Sequence, residues 1–413
     1  MILKISAEPH SGRGKPLPTR RPGLPQEAND GYYAVFFSIT TFTTKEIFMV
    51  ESTPLPEGTV RFPHEVIHQF TSAVFRAMDI PDEDATLIAD VLNSADLRGI
   101  RSHGAGRIQF FMMRLENGVI NKNPNMEFTP GSDTTGILDA DGGLGIIASN
   151  RAMDEAMGRA EKHGCGFVCV KNSSHFGYCG YWSKKAMKEG YIGISMTNGG
   201  RRGTATYGID PLFGTNPFSI GIPGGHGGHD FHLDMATSMV AVGKIETALR
   251  EGREIPQGWV PSSYGSPKLN DRSILTHDVP VLPLGGEGME GGGHKGYGLS
   301  LMVELLCSIL SGGDLKERIT GADGAAKPNT GHFFGAIKIE SFRDTASVFK
   351  QMAETFEIIR NSKKEAGQER IYIHGEPEAI AEEENRRIGI PVTPAVLEQI
   401  YSLNEKLNLG FEL

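Results

Sequence analysis

Between Ser149 and Arg250 short apolar runs alternate with helix-length segments, and this alternation restricts the chain to a sheet packed by helices. Ser149 to His163 reads as a helix closed by Gly164, and Phe167-Val168-Cys169-Val170 as a buried strand. Tyr181 to Glu189 is a helix stopped by Gly190, Tyr191 to Met196 and Phe218 to Ile222 are strands, and Ser238 to Arg250 is a helix. Farther on, a glycine cluster from Gly285 to Gly293 precedes an apolar helix from Gly298 to Leu310, and Phe333 to Ile339 alternates like a strand.

The two ends read differently. Val66, Ile67, Phe70, Val74 and Phe75 recur at helical spacing, and a second helix opens at Pro81-Asp82-Glu83, with proline and acids in its first turn, and ends by Gly99. Ile108 to Glu116 is helical and Asn117-Gly118 stops it. Thr345 to Asn361, Glu376 to Arg387 and Pro394 to Leu407 are three late helices. Residues 1–56, rich in Pro, Gly, Arg and Thr, read as a poorly ordered extension. No internal repeat is visible.

A chain of 413 residues can bury a large core and form more than one lobe. Its net charge of −9 argues against general nucleic-acid binding. Cys165, Cys169, Cys179 and Cys307 show neither metal nor disulfide spacing, which fits a reducing cytoplasm. No apolar run is long enough to span a membrane; Tyr32 to Ile39 comes nearest and is short. Glu8, Glu27 and Asp30 interrupt the positive charge that a targeting peptide needs.

Two runs carry chemistry. Arg101-Ser102-His103-Gly104-Ala105-Gly106-Arg107 and Asn172-Ser173-Ser174-His175-Phe176-Gly177 each set a histidine beside small residues. An imidazole exchanges a proton near neutral pH, and a guanidinium grips a carboxylate with two parallel hydrogen bonds. Together they suit an acid whose carboxylate neighbours a hydroxyl or carbonyl carbon. Taken singly, each run reads better as a capped helix start with a satisfied histidine. The second lies in a strand-to-helix loop, where ligand sites concentrate in such sheets.

Four further runs follow in order: Leu212-Phe213-Gly214-Thr215-Asn216-Pro217, Leu233-Asp234-Met235-Ala236-Thr237-Ser238, Gly293-His294-Lys295-Gly296-Tyr297-Gly298 and His374-Gly375-Glu376-Pro377-Glu378. The series resembles the malate/L-lactate dehydrogenase family of the non-Rossmann type, whose relatives include ureidoglycolate, sulfolactate and diketogulonate oxidoreductases. It runs from about Arg61 to the C-terminus. Met49 offers an alternative start, because the family pattern begins shortly after it.

The resemblance implies an α/β, L-sulfolactate-dehydrogenase-like fold. A mixed-sheet cofactor lobe (131–340) would stand beside a helical lobe built from both chain ends (57–130 with 341–413). It implies a homodimer and an NAD-dependent oxidoreductase, with NADP also open, acting on a small L-2-hydroxy acid. The run from Pro283 through Gly-His-Lys-Gly to Glu304-Leu305-Leu306-Cys307 looks most like malate-type members. By the same resemblance His103, oriented by Ser102, and His175 are catalytic, with the division of labour between them open, and Arg107 is the carboxylate clamp. Asn198, Thr215, Asn216, Asp234, Met235, Ala236, His294, Lys295 and Glu376 are carried over as cofactor-binding. Lys295, in a glycine-flanked turn opening a helix, has an independent rationale as a phosphate partner; Asp234 reads equally as a cap for a helix at Ala236-Thr237-Ser238.

Several features point elsewhere. Gly286-Glu287-Gly288-Met289-Glu290-Gly291 matches the dinucleotide fingerprint literally, but Pro280 and Pro283 spoil the strand it needs, and its glutamates repel pyrophosphate. No Ser or Thr follows the lysine of Gly293-His294-Lys295-Gly296, so it is no P-loop. His226, His229 and His232, with Asp230, open a second class, a metal-dependent hydrolase, although a glycine-rich solvent loop fits that run better and no metal is assigned. A silent binding protein on the same fold is the third class. Ser174 stands where the family often has asparagine, and Phe111 near its tyrosine, which bears on substrate identity.

Overall fold

Strand β1 (Val60–Phe62) pairs antiparallel with β9 (Ile390–Val392), Val60 facing Val392, so the two ends of the described chain are stitched together. Between and after them stand α1 (His64–Ala77), α2 (Asp82–Leu97), α3 (Ile108–Glu116), α7 (Thr345–Asn361), α8 (Glu376–Ile388) and α9 (Pro394–Lys406). Pro81 precedes α2, whose first turn carries Asp82, Glu83 and Asp84 against the helix dipole. The apolar faces of α1, α2, α3 and α9 meet at Phe70, Phe75, Ile88, Leu92, Phe111 and Leu403, all buried. Each such side chain contributes about 1.5–3 kcal/mol relative to its exposed state.

The computed structural model describes residues 55–225, 228–241, 244–245, 254–264, 280–313 and 329–412, all within one compact unit. The expected N-terminal extension, with Tyr32–Ile39 and Met49, lies almost wholly outside them, as does most of the expected helix from Ser238 to Arg250. Where that helix should begin, Ser238 instead makes an isolated antiparallel bridge to Pro283.

The remaining strands are β2 (Glu127–Pro130), β3 (Thr135–Asp139), β4 (Cys165–Ser173), β5 (Tyr191–Thr197), β6 (Phe218–Ile222), β7 (Phe231–Met235) and β8 (Thr330–Lys338). They form one seven-stranded sheet in the order β2-β3-β4-β8-β5-β6-β7. Only β3 and β4 run parallel; every other neighbouring pair is antiparallel. This is a mixed α/β sheet without a Rossmann strand order. Helices α4 (Gly145–His163) and α5 (Gly180–Lys188) cover it, and Gly164 closes α4 in the left-handed conformation at φ 85°. Buried Val168, Val170, Phe334 and Trp182 continue the core of the helical lobe.

Two expectations are corrected. The helix expected from Gly298 starts at Gly293 as α6 (Gly293–Glu304) and continues as a π-helical turn over Leu305–Ile309. The glycine cluster folds beneath its first turn so closely that a Cβ on Gly293 would lie 1.9 Å from the Gly286 carbonyl oxygen. That close approach gives the glycine at position 293 a packing reason. Asp234 and His232, expected in a loop or a helix cap, are part of β7.

Candidate active site

Register gathers most of the motifs at one end of the sheet. Ser173 pairs with Thr330, Thr197 with His332, Met196 with Phe218, and Phe218 with Met235. The residues just beyond those strand ends are the His175 loop, Asn198, Asn216 and Ala236, so segments far apart in sequence converge there. Helix α6 is bonded to the same end: the Asn216 amide donates to the Ser300 carbonyl and to Glu304, each at 3.0 Å.

The His103 turn approaches from α2. After Gly99, two short 3-10 turns, Arg101–His103 and Ala105–Arg107, lead into α3. Ser102 Oγ lies 2.8 Å from His103 Nδ1, where the hydroxyl can orient the ring. Arg107 Nε donates to the Ser102 carbonyl at 2.7 Å, tying clamp and acid/base candidate into one unit. Burial and then the Arg107 charge pull His103 down to about 4, although part of the residue is open to solvent. Its ring is therefore neutral at pH 7.

Beneath this turn sits Asp96, buried, accepting the Ala105 N–H at 2.7 Å. Burial raises its carboxyl to about 7, against the lowering effects of that bond and of Arg101. Gly104 is required by contact: a Cβ there would lie 1.7 Å from Asp96 Oδ1. Gly104→Ala is accordingly expected to cost about 1–3 kcal/mol of stability, as overpacking does, and to lower activity by displacing His103. Thermal unfolding and steady-state rates on one preparation check this; a parent-like midpoint and rate would contradict it.

His175 faces His103. Their rings stack with centroids 5.4 Å apart and planes at 25°. The edges of Phe110 and Phe111 close on His175 from centroids 5.7 Å away. Its Nδ1 accepts the Gly177 N–H at 3.1 Å, which leaves Nε2 to carry the proton of the neutral ring. Burial, then His103, Arg107, His332 and Arg114, hold its pKa well below the usual histidine value. Charge on one ring of the stack disfavours charge on the other. Phe111 supplies a buried apolar wall, and Ser174 bonds inward, donating to the Gly143 carbonyl at 3.0 Å and accepting the Gly145 N–H at 2.9 Å.

Of the cofactor candidates, Asn198 and Asn216 are buried and spend their side chains on the protein. The Asn198 amide donates to Glu304 at 3.2 Å and to Ser308, and its carbonyl accepts the Gly331 N–H at 2.9 Å. The Thr215 carbonyl accepts the Thr237 N–H at 2.9 Å. Met235 and Ala236 are half-buried where β7 ends. Asp234 caps a helix, though not the one expected: it accepts the Gly180 N–H at 2.9 Å, at the start of α5. Burial raises it to about 7, against Gly180 and Arg98 and with Glu378. Lys295 is exposed in the first turn of α6, and the buried Nδ1 of His294 beside it meets no acceptor or donor among the described residues. An orphaned ring nitrogen, an exposed lysine and a helix start fit a dinucleotide phosphate and ribose. Glu376 is engaged elsewhere: Arg360 donates to its carboxylate, Arg370 pairs with it at 3.6 Å and His229 lies 3.9 Å from it.

Among the described residues the His226 run gathers no set of metal ligands. His226 lies outside the described residues, His229 is exposed, and His232 is buried with both nitrogens in use. Arg98 donates to His232 Nδ1 at 3.2 Å, so Nε2 bears the proton and faces the Gly180 carbonyl at 3.1 Å. Burial, Arg98 and Lys184 bring His232 down to about 3.

Sequence reading missed several site residues. His332 Nδ1 lies 2.7 Å from Thr197 Oγ1 and its Nε2 2.8 Å from Ser173 Oγ, while its ring stacks on Phe176 at 4.7 Å. It locks the His175 loop to the end of β5. Its signal was present, one residue before the strand read from Phe333. Asp96 and Arg114 had no motif to mark them.

The malate/L-lactate dehydrogenase family model matches residues 62–401. The malate dehydrogenase of Pyrococcus abyssi is 38% identical over 366 residues, covering 88% of this chain and 100% of that protein. The L-sulfolactate dehydrogenase of Methanocaldococcus jannaschii is 34% identical over 343 residues, 82% of this chain and 95% of its own. The solved structure of malate dehydrogenase from Pyrococcus horikoshii superposes with a TM-score of 0.78 at 35% identity, covering 88% of this chain and 99% of that one.

Proposed function

The chain belongs to the malate/L-lactate dehydrogenase family, and on that premise we propose that it interconverts malate and oxaloacetate, with His103 as the acid/base. It is an oxidoreductase that moves a hydride between a nicotinamide dinucleotide and a small 2-hydroxy or 2-oxo acid. When bound, the nicotinamide ring supplies or accepts that hydride at C2 of the acid. The observation that carries the residue roles is the stacked His103–His175 pair with Arg107 braced on the same turn.

Arg107 holds the C1 carboxylate and so orients C2. Neutral His103 takes the hydroxyl proton during oxidation and returns it during reduction. An anionic acid beside the ring raises its pKa, which favours the protonated form needed for reduction. His175, enclosed by Phe110 and Phe111 and fixed by Gly177, walls the pocket and orients His103. His294 and Lys295 would receive the dinucleotide, NAD in the first instance. The loops ending in Asn198, Thr215, Asn216, Asp234, Met235 and Ala236 shape its cleft, with Glu376 a more distant candidate.

The reading divides the chain into a helical lobe, 57–130 with 341–413, carrying His103, and a cofactor lobe, 131–340, carrying His175. Family membership alone supports a homodimer. The four free cysteines and the absence, among the described residues, of a helix long and apolar enough to cross a membrane support a cytoplasmic place. NADH and NADPH oxidation should be followed with oxaloacetate, pyruvate, 2-oxobutyrate and glyoxylate derivatives. Oxaloacetate with NADH is expected to have the highest kcat/KM; turnover of none of these acids would overturn the assignment.

A further inference from the structure

Arg107, Phe110, Phe111 and Arg114 fall at i, i+3, i+4 and i+7, one stripe along the start and face of α3. His175 meets this stripe edge-on through both phenylalanines. The two guanidiniums lie over the same Phe110 ring, Arg107 at 5.7 Å and Arg114 at 4.8 Å from its centroid. Two helical turns separate their Cα atoms by roughly 10 Å, and side chains on a helix lean toward its N-terminus, so Arg114 leans back toward Arg107.

Arg107 is braced on Ser102, whereas Arg114 is half-buried and, among the described residues, its guanidinium meets no hydrogen-bond acceptor. Burial lowers the pKa of Arg114, and its charge also helps hold His175 down. A half-buried cation without an anion is costly, and one that borders a reacting pocket is matched when an anion enters.

We propose that Arg114 is a specificity-determining residue that receives the second carboxylate of a 2-hydroxy or 2-oxo diacid whose C1 carboxylate is held by Arg107. This rests on the dehydrogenase reading above and narrows its substrate class. A four-carbon diacid presents two carboxylates to two guanidiniums on one face of α3, with the reacting C2 facing the histidine pair.

The test compares oxaloacetate with 2-oxobutyrate, a four-carbon acid ending in a methyl group, in the parent, Arg114→Gln and Arg114→Lys, with thermal midpoints recorded. Arg114→Gln is expected to lower kcat/KM for oxaloacetate ~10- to 100-fold, the loss of one charge-assisted contact, and to leave 2-oxobutyrate within about twofold. Lysine should restore part of the preference, because the point charge survives without the fork. Equal falls on both acids would reduce Arg114 to a prop for Phe110 and overturn the proposal. So would unchanged oxaloacetate efficiency, or a parent that prefers 2-oxobutyrate, and in either case the dehydrogenase reading would stand. A parent that reduces neither acid would overturn both.

Discussion

His103→Ala is expected to lower turnover by roughly 100- to 10,000-fold, the usual contribution of a positioned acid or base. NADH affinity should stay within a few-fold of the parent, because the ring serves the acid and not the dinucleotide. The environment also sets the sign of the pH dependence. Burial and Arg107 hold His103 at about 4 in the free protein, so its base form is present above that value. With respect to this group, kcat/KM for the 2-hydroxy acid should be flat near neutrality and fall as pH drops through about 4. Steady-state rates with an independent NADH fluorescence titration check the assignment. A mutant within a few-fold of the parent rate would move the acid/base role to His175.

Arg107→Lys should be poorly tolerated although the charge is kept. On the proposed reading arginine supplies a planar fork to the C1 carboxylate; through Nε it also makes the 2.7 Å bond that braces the Ser102 carbonyl. Lysine reproduces neither geometry. Losing the fork removes a charge-assisted interaction of roughly 1.5–3 kcal/mol, so catalytic efficiency should fall at least about tenfold. The slackened brace adds to that by loosening His103. The Michaelis constant for the oxo acid should rise while the NADH dissociation constant holds. Unchanged efficiency would make Arg107 a turn residue and leave the C1 carboxylate to another partner.

Much of the architecture was legible. Helix α3 has the expected limits, Ile108–Glu116, because an apolar face and an Asn-Gly stop are local signals. β5 and β6 likewise follow from their apolar runs. β1 and β9 escaped notice because three-residue strands have no period to read; they exist by pairing with each other. β7 escaped because Phe231–Met235 contains His232 and Asp234, polar residues whose cost of burial is offset by partners from other elements, among them Arg98, Gly180, Ser183 and Ser219. Helix α6 was read late because its glycine-rich first turn scores as a breaker, while in the fold those glycines permit the close contact beneath Gly293.

The sequence determined the reaction class through the resemblance its ordered motifs bear to a known family, and by itself the local helices and strands that carry them. What only tertiary structure decided is which of those groups meet. Antiparallel pairing of β8 with β4 and β5 brings His332 between Ser173 and Thr197, from segments more than a hundred residues apart. The same packing stacks His103 on His175, places Asp96 under Gly104, sets Phe110 against His175 and gathers Glu376 with Arg360. Side-chain partners and burial depend on contacts between distant segments, and burial in turn sets the protonation of the two histidines. No local pattern encodes that.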